Sequence, residues 1–222
     1  MIIYHPNQQP ITIKTKQKTL QLLIIVALLL FTSPTHSAGL NGNTYLEVSA
    51  GYVETDIDIV DDYYGILLQY NYALTSVNLD LFCSYEYDVA TFKYESLSDG
   101  YESMFVVGAR YYKYFTPKTN WWVEPMVIHS KYRFLDESQS DQSYQLALGL
   151  EFLPEDSLAL MPYVAGSNNF SDHDDFEYNY GIIIDYDLFS QVGLITRLSS
   201  GEEIDWSLFV GLKYNFTHTS SR

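Results

Sequence analysis

The sequence predicts an all-β fold: a single antiparallel up-and-down barrel of ten strands that crosses a membrane. Three observations carry this. Segments of about ten to fourteen residues show one apolar face and one mostly polar face. Tight turns alternate along the chain with longer polar connections. An export segment precedes them all. Eight strands remain open as an alternative, because two segments show the alternation poorly.

The chain opens with Lys14, Lys16 and Lys18, followed by an apolar run from Leu20 to Phe31 broken only by Gln21. Thr35-His36-Ser37-Ala38 then offers small residues to a signal peptidase. The expected division is a signal peptide over 1–38 and a barrel over 39–222, with cleavage after Ser37 or after Ala38. The apolar run falls short of the roughly 20 residues that a spanning helix needs. Losing three lysines and no acids takes the formal charge from −16 to −19. That charge excludes a basic nucleic-acid footprint. Cys83 is alone, so no internal disulfide can form. The 21 tyrosines suit membrane interfaces, where one end of the ring is dry and the other wet.

Ten strand-like segments follow, at 44–54, 62–74, 77–88, 101–115, 120–134, 142–153, 157–167, 176–189, 191–200 and 205–216. Lengths of this order match tilted membrane strands, which need about 9–11 residues in hydrocarbon. In the second, Tyr64, Ile66, Leu68, Tyr70 and Tyr72 alternate with Gly65, Leu67, Gln69, Asn71 and Ala73. Thr75-Ser76 turns the chain into the third, where Leu79, Leu81, Cys83, Tyr85 and Tyr87 alternate with Asp80, Phe82, Ser84 and Glu86. The two faces of 120–134 are hard to separate, and Pro125 and Pro162 each remove a ladder hydrogen bond, so a bulge or a shorter strand is expected at 120–134 and 157–167. The sixth, eighth and tenth segments return to clean alternation. Aromatics mark both ends of the apolar face. Tyr85, Tyr87, Tyr178 and Trp206 fall toward the longer loops; Tyr70, Tyr72, Tyr111, Trp121, Phe152, Tyr186 and Tyr214 fall toward the turns.

The connections support the same reading. Thr75-Ser76, Thr116–Thr119, Pro154–Asp156 and Ser190 are tight, whereas 55–61, 89–100, 135–141, 168–175 and 201–204 are longer and polar. Such an arrangement puts the turns in the periplasm and the loops outside the cell.

The last strand ends Gly211-Leu212-Lys213-Tyr214-Asn215-Phe216. With the signal peptide and the alternating strands, it resembles the small outer-membrane β-barrel proteins of Gram-negative bacteria, the OmpA, OmpX and OmpW types. The resemblance implies an outer-membrane location, contact with lipid and lipopolysaccharide, and a porin-like cell-envelope architecture. It also implies that Gly211, Tyr214 and Phe216 form a signal for the barrel-assembly machinery. Six residues follow Phe216, Phe209 occupies a usually polar position, and ten strands exceed the eight typical of that group.

Alternation assigns Glu47, Asp80, Glu86, Arg110, Glu124, Glu151, Asp185, Asp187, Arg197 and Lys213 to a polar network in the lumen. Small barrels are usually filled by side chains; were this one open, its acid excess would favour cations. The loops carry Asp56, Asp58, Asp172, Asp174 and Asp175, which could hold surface Ca²⁺ or Mg²⁺ through oxygen ligands. The EF-hand spacing is absent, and a solvated rim without cofactor is the expectation. Three functions stay in play. The first is a non-enzymatic monomeric barrel that acts through acidic loops or as an envelope component. The second is a narrow cation-preferring channel. The third is a membrane hydrolase: Asp56-Ile57-Asp58 with Asp172-His173 resembles the omptin pairs, and His129-Ser130 the lipid A deacylases. Adjacent strand residues face opposite ways, however, which opposes a His129–Ser130 pair.

Overall fold

The computed structural model describes residues 39–55, 60–92, 100–134, 137–170, 176–189, 191–202 and 204–216. Ten antiparallel strands form a closed barrel: β1 (Tyr45–Thr55), β2 (Val60–Leu74), β3 (Leu79–Phe92), β4 (Gly100–Thr116), β5 (Thr119–Phe134), β6 (Glu137–Glu155), β7 (Leu158–Asn169), β8 (Phe176–Asp187), β9 (Val192–Gly201) and β10 (Ile204–Asn215). Each strand pairs with its sequence neighbours, and β1 closes on β10 from Tyr45↔Asn215 to Thr55↔Ile204. Closure removes every sheet edge, so no strand runs with an open side along hydrocarbon.

The barrel is inside out. Ile66, Leu68, Tyr72, Val107, Leu146 and Leu212 are exposed on the outer wall, while Glu47, Asp80, Glu151, Asp185 and Lys213 have no solvent-accessible surface. Water would not tolerate that much apolar surface, but a bilayer requires it. Aromatic clusters mark the rims of the apolar belt. At the loop end Tyr52 lies 5.3 Å from Tyr64 and 5.0 Å from Trp206, ring centre to ring centre. At the turn end Phe216 lies 6.3 Å from Tyr70 and 5.0 Å from Tyr214, and Tyr111 packs on Trp121.

Four local features differ from the sequence expectation. The β2–β3 turn is longer than Thr75-Ser76: Thr75–Val77 makes a 3₁₀ turn, and Asn78 closes it in the left-handed conformation with φ 53°. Asparagine tolerates that region, and Val77 belongs to the turn rather than to β3. The β8–β9 connection is likewise longer than Ser190, because β8 ends at Asp187 and β9 starts at Val192. Pro125 and Pro162 cause neither bulges nor shortening. Register is the same on both sides of each; only the ladder between β4 and β5 lapses at 109–110, and that between β6 and β7 at 150–151. Each proline therefore turns its nitrogen to one neighbour and pairs normally with the other, as Pro125↔Leu146 and Pro162↔Ile182 show. Finally, 135–141 and 201–204 are not long loops: β6 starts at Glu137 and β10 at Ile204. Ser138, Gln139 and Ser140 are exposed strand residues paired with β5. A strand rising above the bilayer is wet on both faces, so its polar composition reads as loop.

The lumen is packed rather than merely polar. Trp122, Tyr112, Tyr45, Met161, Ile183 and Ile195 form a buried apolar cluster with Leu40. β5 hid its inner face because Trp122, Met126 and Ile128 line it, as apolar as the Val123 and Val127 outside. Trp122→Ala is expected to cost about 3–5 kcal/mol, the usual penalty for emptying a large aromatic site. The urea midpoint for loss of the fast-migrating folded band on unheated SDS gels, measured in lipid vesicles, checks this.

Candidate functional site

The inner charges lie at three levels. At the turn end, residues 39–44 fold back into the lumen and are entirely buried. Two glycines make the reversal. Gly39 has φ 113° and Gly42 φ 77°; a Cβ on the first would meet the Glu151 carboxylate, and one on the second would lie 2.9 Å from the Tyr112 hydroxyl. Buried N–H groups of this segment find carboxylates on the wall. Gly39 N donates to Asp185 Oδ2 at 2.8 Å, Leu40 N to Glu151 Oε1 at 3.1 Å, and Gly42 N to Asp80 Oδ2 at 3.0 Å. Asn41 Nδ2 donates to Asn120 Oδ1 at 2.7 Å and to Glu151 Oε2 at 3.2 Å; Asn120 also donates to Glu151. Lys213 Nζ pairs with Asp185 and lies 3.9 Å from Asp187 Oδ1. The segment thus acts as a plug, held because buried carboxylates must be hydrogen-bonded or paired.

The middle level holds two ion pairs. Arg197 grips Glu47 with two nitrogens, at 3.0 and 2.5 Å, and Ser49 Oγ donates to Glu47 Oε1 at 2.8 Å. Two-point guanidinium binding fixes geometry as well as charge. Arg110 pairs with Glu124 at 2.5 Å, and its guanidinium carbon sits 5.0 Å from the centre of a Trp122 ring. That stacking suits a desolvated arginine.

The loop end is different. There the lumen widens into a cavity of about 690 Å³, whose charged lining is Glu86, Asp88, Glu102, Asp141, Glu177 and Arg197. Asp88 is buried, and its Oδ1 accepts no hydrogen bond. Phe209, Leu67 and Tyr163 contribute apolar surface. Five acids against one arginine, itself committed to Glu47, make this an acidic cup.

The sequence-assigned lumen residues are spread over these three levels. Asp80, Glu151, Asp185, Asp187 and Lys213 surround the plug; Glu47, Arg197, Arg110 and Glu124 pair across the middle; Glu86 stands apart in the cup. Sequence reasoning missed Asp88 and Glu102, although both share the even-numbered inward parity of Glu86 and Arg110. It also missed the folded-back segment 39–44, of which only Thr44 falls within a strand-like segment. Asp56, Asp58, Asp172, Asp174, Asp175 and His173 lie outside the described residues. No group of three or more His, Cys, Asp or Glu among the described residues is placed to hold a metal ion. His129 faces outward and Ser130 lines the cup, on opposite sides of β5. Gly211 faces inward against Ser49, and Phe216 N donates to Thr44 O at 2.8 Å.

No family model matches the sequence, and no curated protein does. Solved structures do resemble the fold. The NanC porin superposes with a TM-score of 0.50 at 7% identity, covering 76% of this chain and 98% of NanC. Neisserial surface protein A gives 0.43 at 9% identity, covering 78% and 96%. OprG, an outer-membrane protein of Pseudomonas aeruginosa, gives 0.44 at 12%, covering 81% and 99%. At such identities the likeness is one of fold: this chain has the architecture of the small outer-membrane β-barrels.

Proposed function

We propose that the protein is a non-enzymatic barrel of the outer membrane, sealed at its periplasmic turn end and presenting an acidic cup to the exterior. The observation that carries this is the buried plug 39–44 beneath the packed cluster of Trp122, Tyr112 and Met161. Solutes entering the cup meet a floor built of ion pairs and aromatic rings. The apolar outer wall with its aromatic rims supports the membrane location, and the export segment supports the outer membrane. The separation of His129 from Ser130 argues against hydrolysis. The cup suits a cationic group on a ligand or surface partner, which would meet Glu86, Asp88 and Glu102 together.

The second reading, a cation-preferring channel, is favoured by that acid excess and by a seal made of a folded-back segment rather than of a strand. NanC carries the name porin. Recording in planar bilayers separates the two. The purified protein is expected to show no steady openings. Discrete cation-selective openings, reduced or reversed in selectivity when Glu86, Asp88 and Glu102 become amides, would establish the channel instead. Membrane fractionation, with gel mobility before and after boiling, tests the location: a heat-modifiable outer-membrane band is expected.

A further inference from the structure

We propose that signal peptidase cuts the Ala38–Gly39 bond, and that the α-ammonium so created on Gly39 becomes a buried counter-charge held by Asp185 inside the barrel. The proposal rests on the exported-barrel reading and adds a processing site and a role for its product. Cleavage is hydrolysis: water adds to the Ala38 carbonyl, the C–N bond breaks, the carboxylate leaves with Ala38, and the released amine takes a proton.

Four observations converge on this bond. Gly39 N already lies 2.8 Å from Asp185 Oδ2, and Asp185 has no exposed surface. The surroundings are short of positive charge. Asp80, Glu151, Asp185 and Asp187 are buried around the plug against two cations, Lys213 on Asp185 and Arg110, which is bonded to Glu124 and stands across the strand pair from Asp80. Hydrogen-bonding capacity is unused as well. Asp185 Oδ1 and both Asp187 oxygens accept no hydrogen bond. An ammonium brings three N–H donors where a peptide nitrogen brings one, together with the missing charge. Lastly, the position favours glycine, because a Cβ there would collide with the Glu151 carboxylate. On the other side of the bond Ala38 gives the peptidase its small −1 residue, while His36 stands at −3. Cutting after Ser37 would leave an amide at Gly39 and move the charge one residue away from Asp185.

The test uses the full chain, exported in a Gram-negative host and purified from the outer membrane. Intact mass and N-terminal sequencing are expected to give a chain that begins Gly-Leu-Asn-Gly-Asn-Thr. An amine-acylating reagent is then applied to folded and urea-unfolded protein, and the peptides are read by mass spectrometry. The Gly39 amine is expected to react at least tenfold more slowly when folded, whereas Lys118, an exposed side chain, reacts in both states. Asp185→Asn, if it retains the heat-modifiable band, should release the amine to react. A mature chain starting elsewhere, or equal labelling folded and unfolded, overturns the proposal. A heat-modifiable band with a different first residue would sink this inference alone; loss of the band in wild type would sink the barrel reading.

Discussion

Replacing Lys213 with methionine is expected to destabilise the barrel by about 3–5 kcal/mol, the range for removing one partner from a buried ion pair. Lys213 Nζ pairs with Asp185, lies 3.9 Å from Asp187 Oδ1 and 3.5 Å from the Gly39 carbonyl oxygen, and neither the lysine nor Asp185 reaches solvent. Without the ε-ammonium, buried Asp187 loses its cation and Asp185 keeps only the Gly39 nitrogen as a partner. The same side chain also holds the plug by its Gly39 carbonyl, so its loss should loosen the seal as well as the strands. Urea titrations in lipid vesicles, followed by the shift between folded and unfolded gel bands, give the free energy. The triple change Lys213→Met, Asp185→Asn, Asp187→Asn separates charge from packing. It removes the stranded acids, so it should recover more than half of the loss. A Lys213→Met barrel as stable as wild type would mean that the charges at this end do not support one another.

The parts legible in the sequence were those that obey one local rule. In β2 and β3 the outer face is apolar and the inner face mostly polar, so Leu68 and Asp80 reveal their sides by parity. In β5 the inner face must fill a narrow lumen, and Trp122 is as apolar as anything that faces lipid; parity persists but hydrophobicity no longer reports it. Strand length is blurred for a related reason. Ser138 to Ser140 lie above the apolar belt, where both faces are wet and polarity marks solvent rather than loop. The plug was hidden for a third reason. Gly39 to Thr44 carry no period, and their place depends on acids up to 146 residues away. Only closure of the barrel brings Asp80, Glu151 and Asp185 around them. The same holds for the cup: Glu86, Asp88 and Glu102 come from two strands, and β4 had to be placed beside β3 before they made one surface.

Leu68→Arg is expected to destabilise the protein in a bilayer by about 2–4 kcal/mol, the cost of a charged guanidinium near the midplane of a membrane barrel. Leu68 is 45% exposed and pairs with Val48 on β1 and Tyr85 on β3, both apolar and outward. Tyr64 and Tyr72 stand four residues away on either side, about 13 Å along the strand at the usual rise. An arginine there lies between the two aromatic rims, among lipid-facing apolar side chains. Ser138→Arg supplies the contrast, because Ser138 is exposed above the belt and the change should stay within about 0.5 kcal/mol. The sign decides the solvent of the outer wall. In a water-soluble barrel, Leu68→Arg would replace an exposed leucine by a hydrated charge, leave stability unchanged and raise solubility. In the membrane the same substitution must cost free energy, and the cost must fall as the arginine is moved from Leu68 toward Tyr72. A depth-independent effect along that outward row would remove the bilayer from the explanation and leave the exposed apolar wall without a partner.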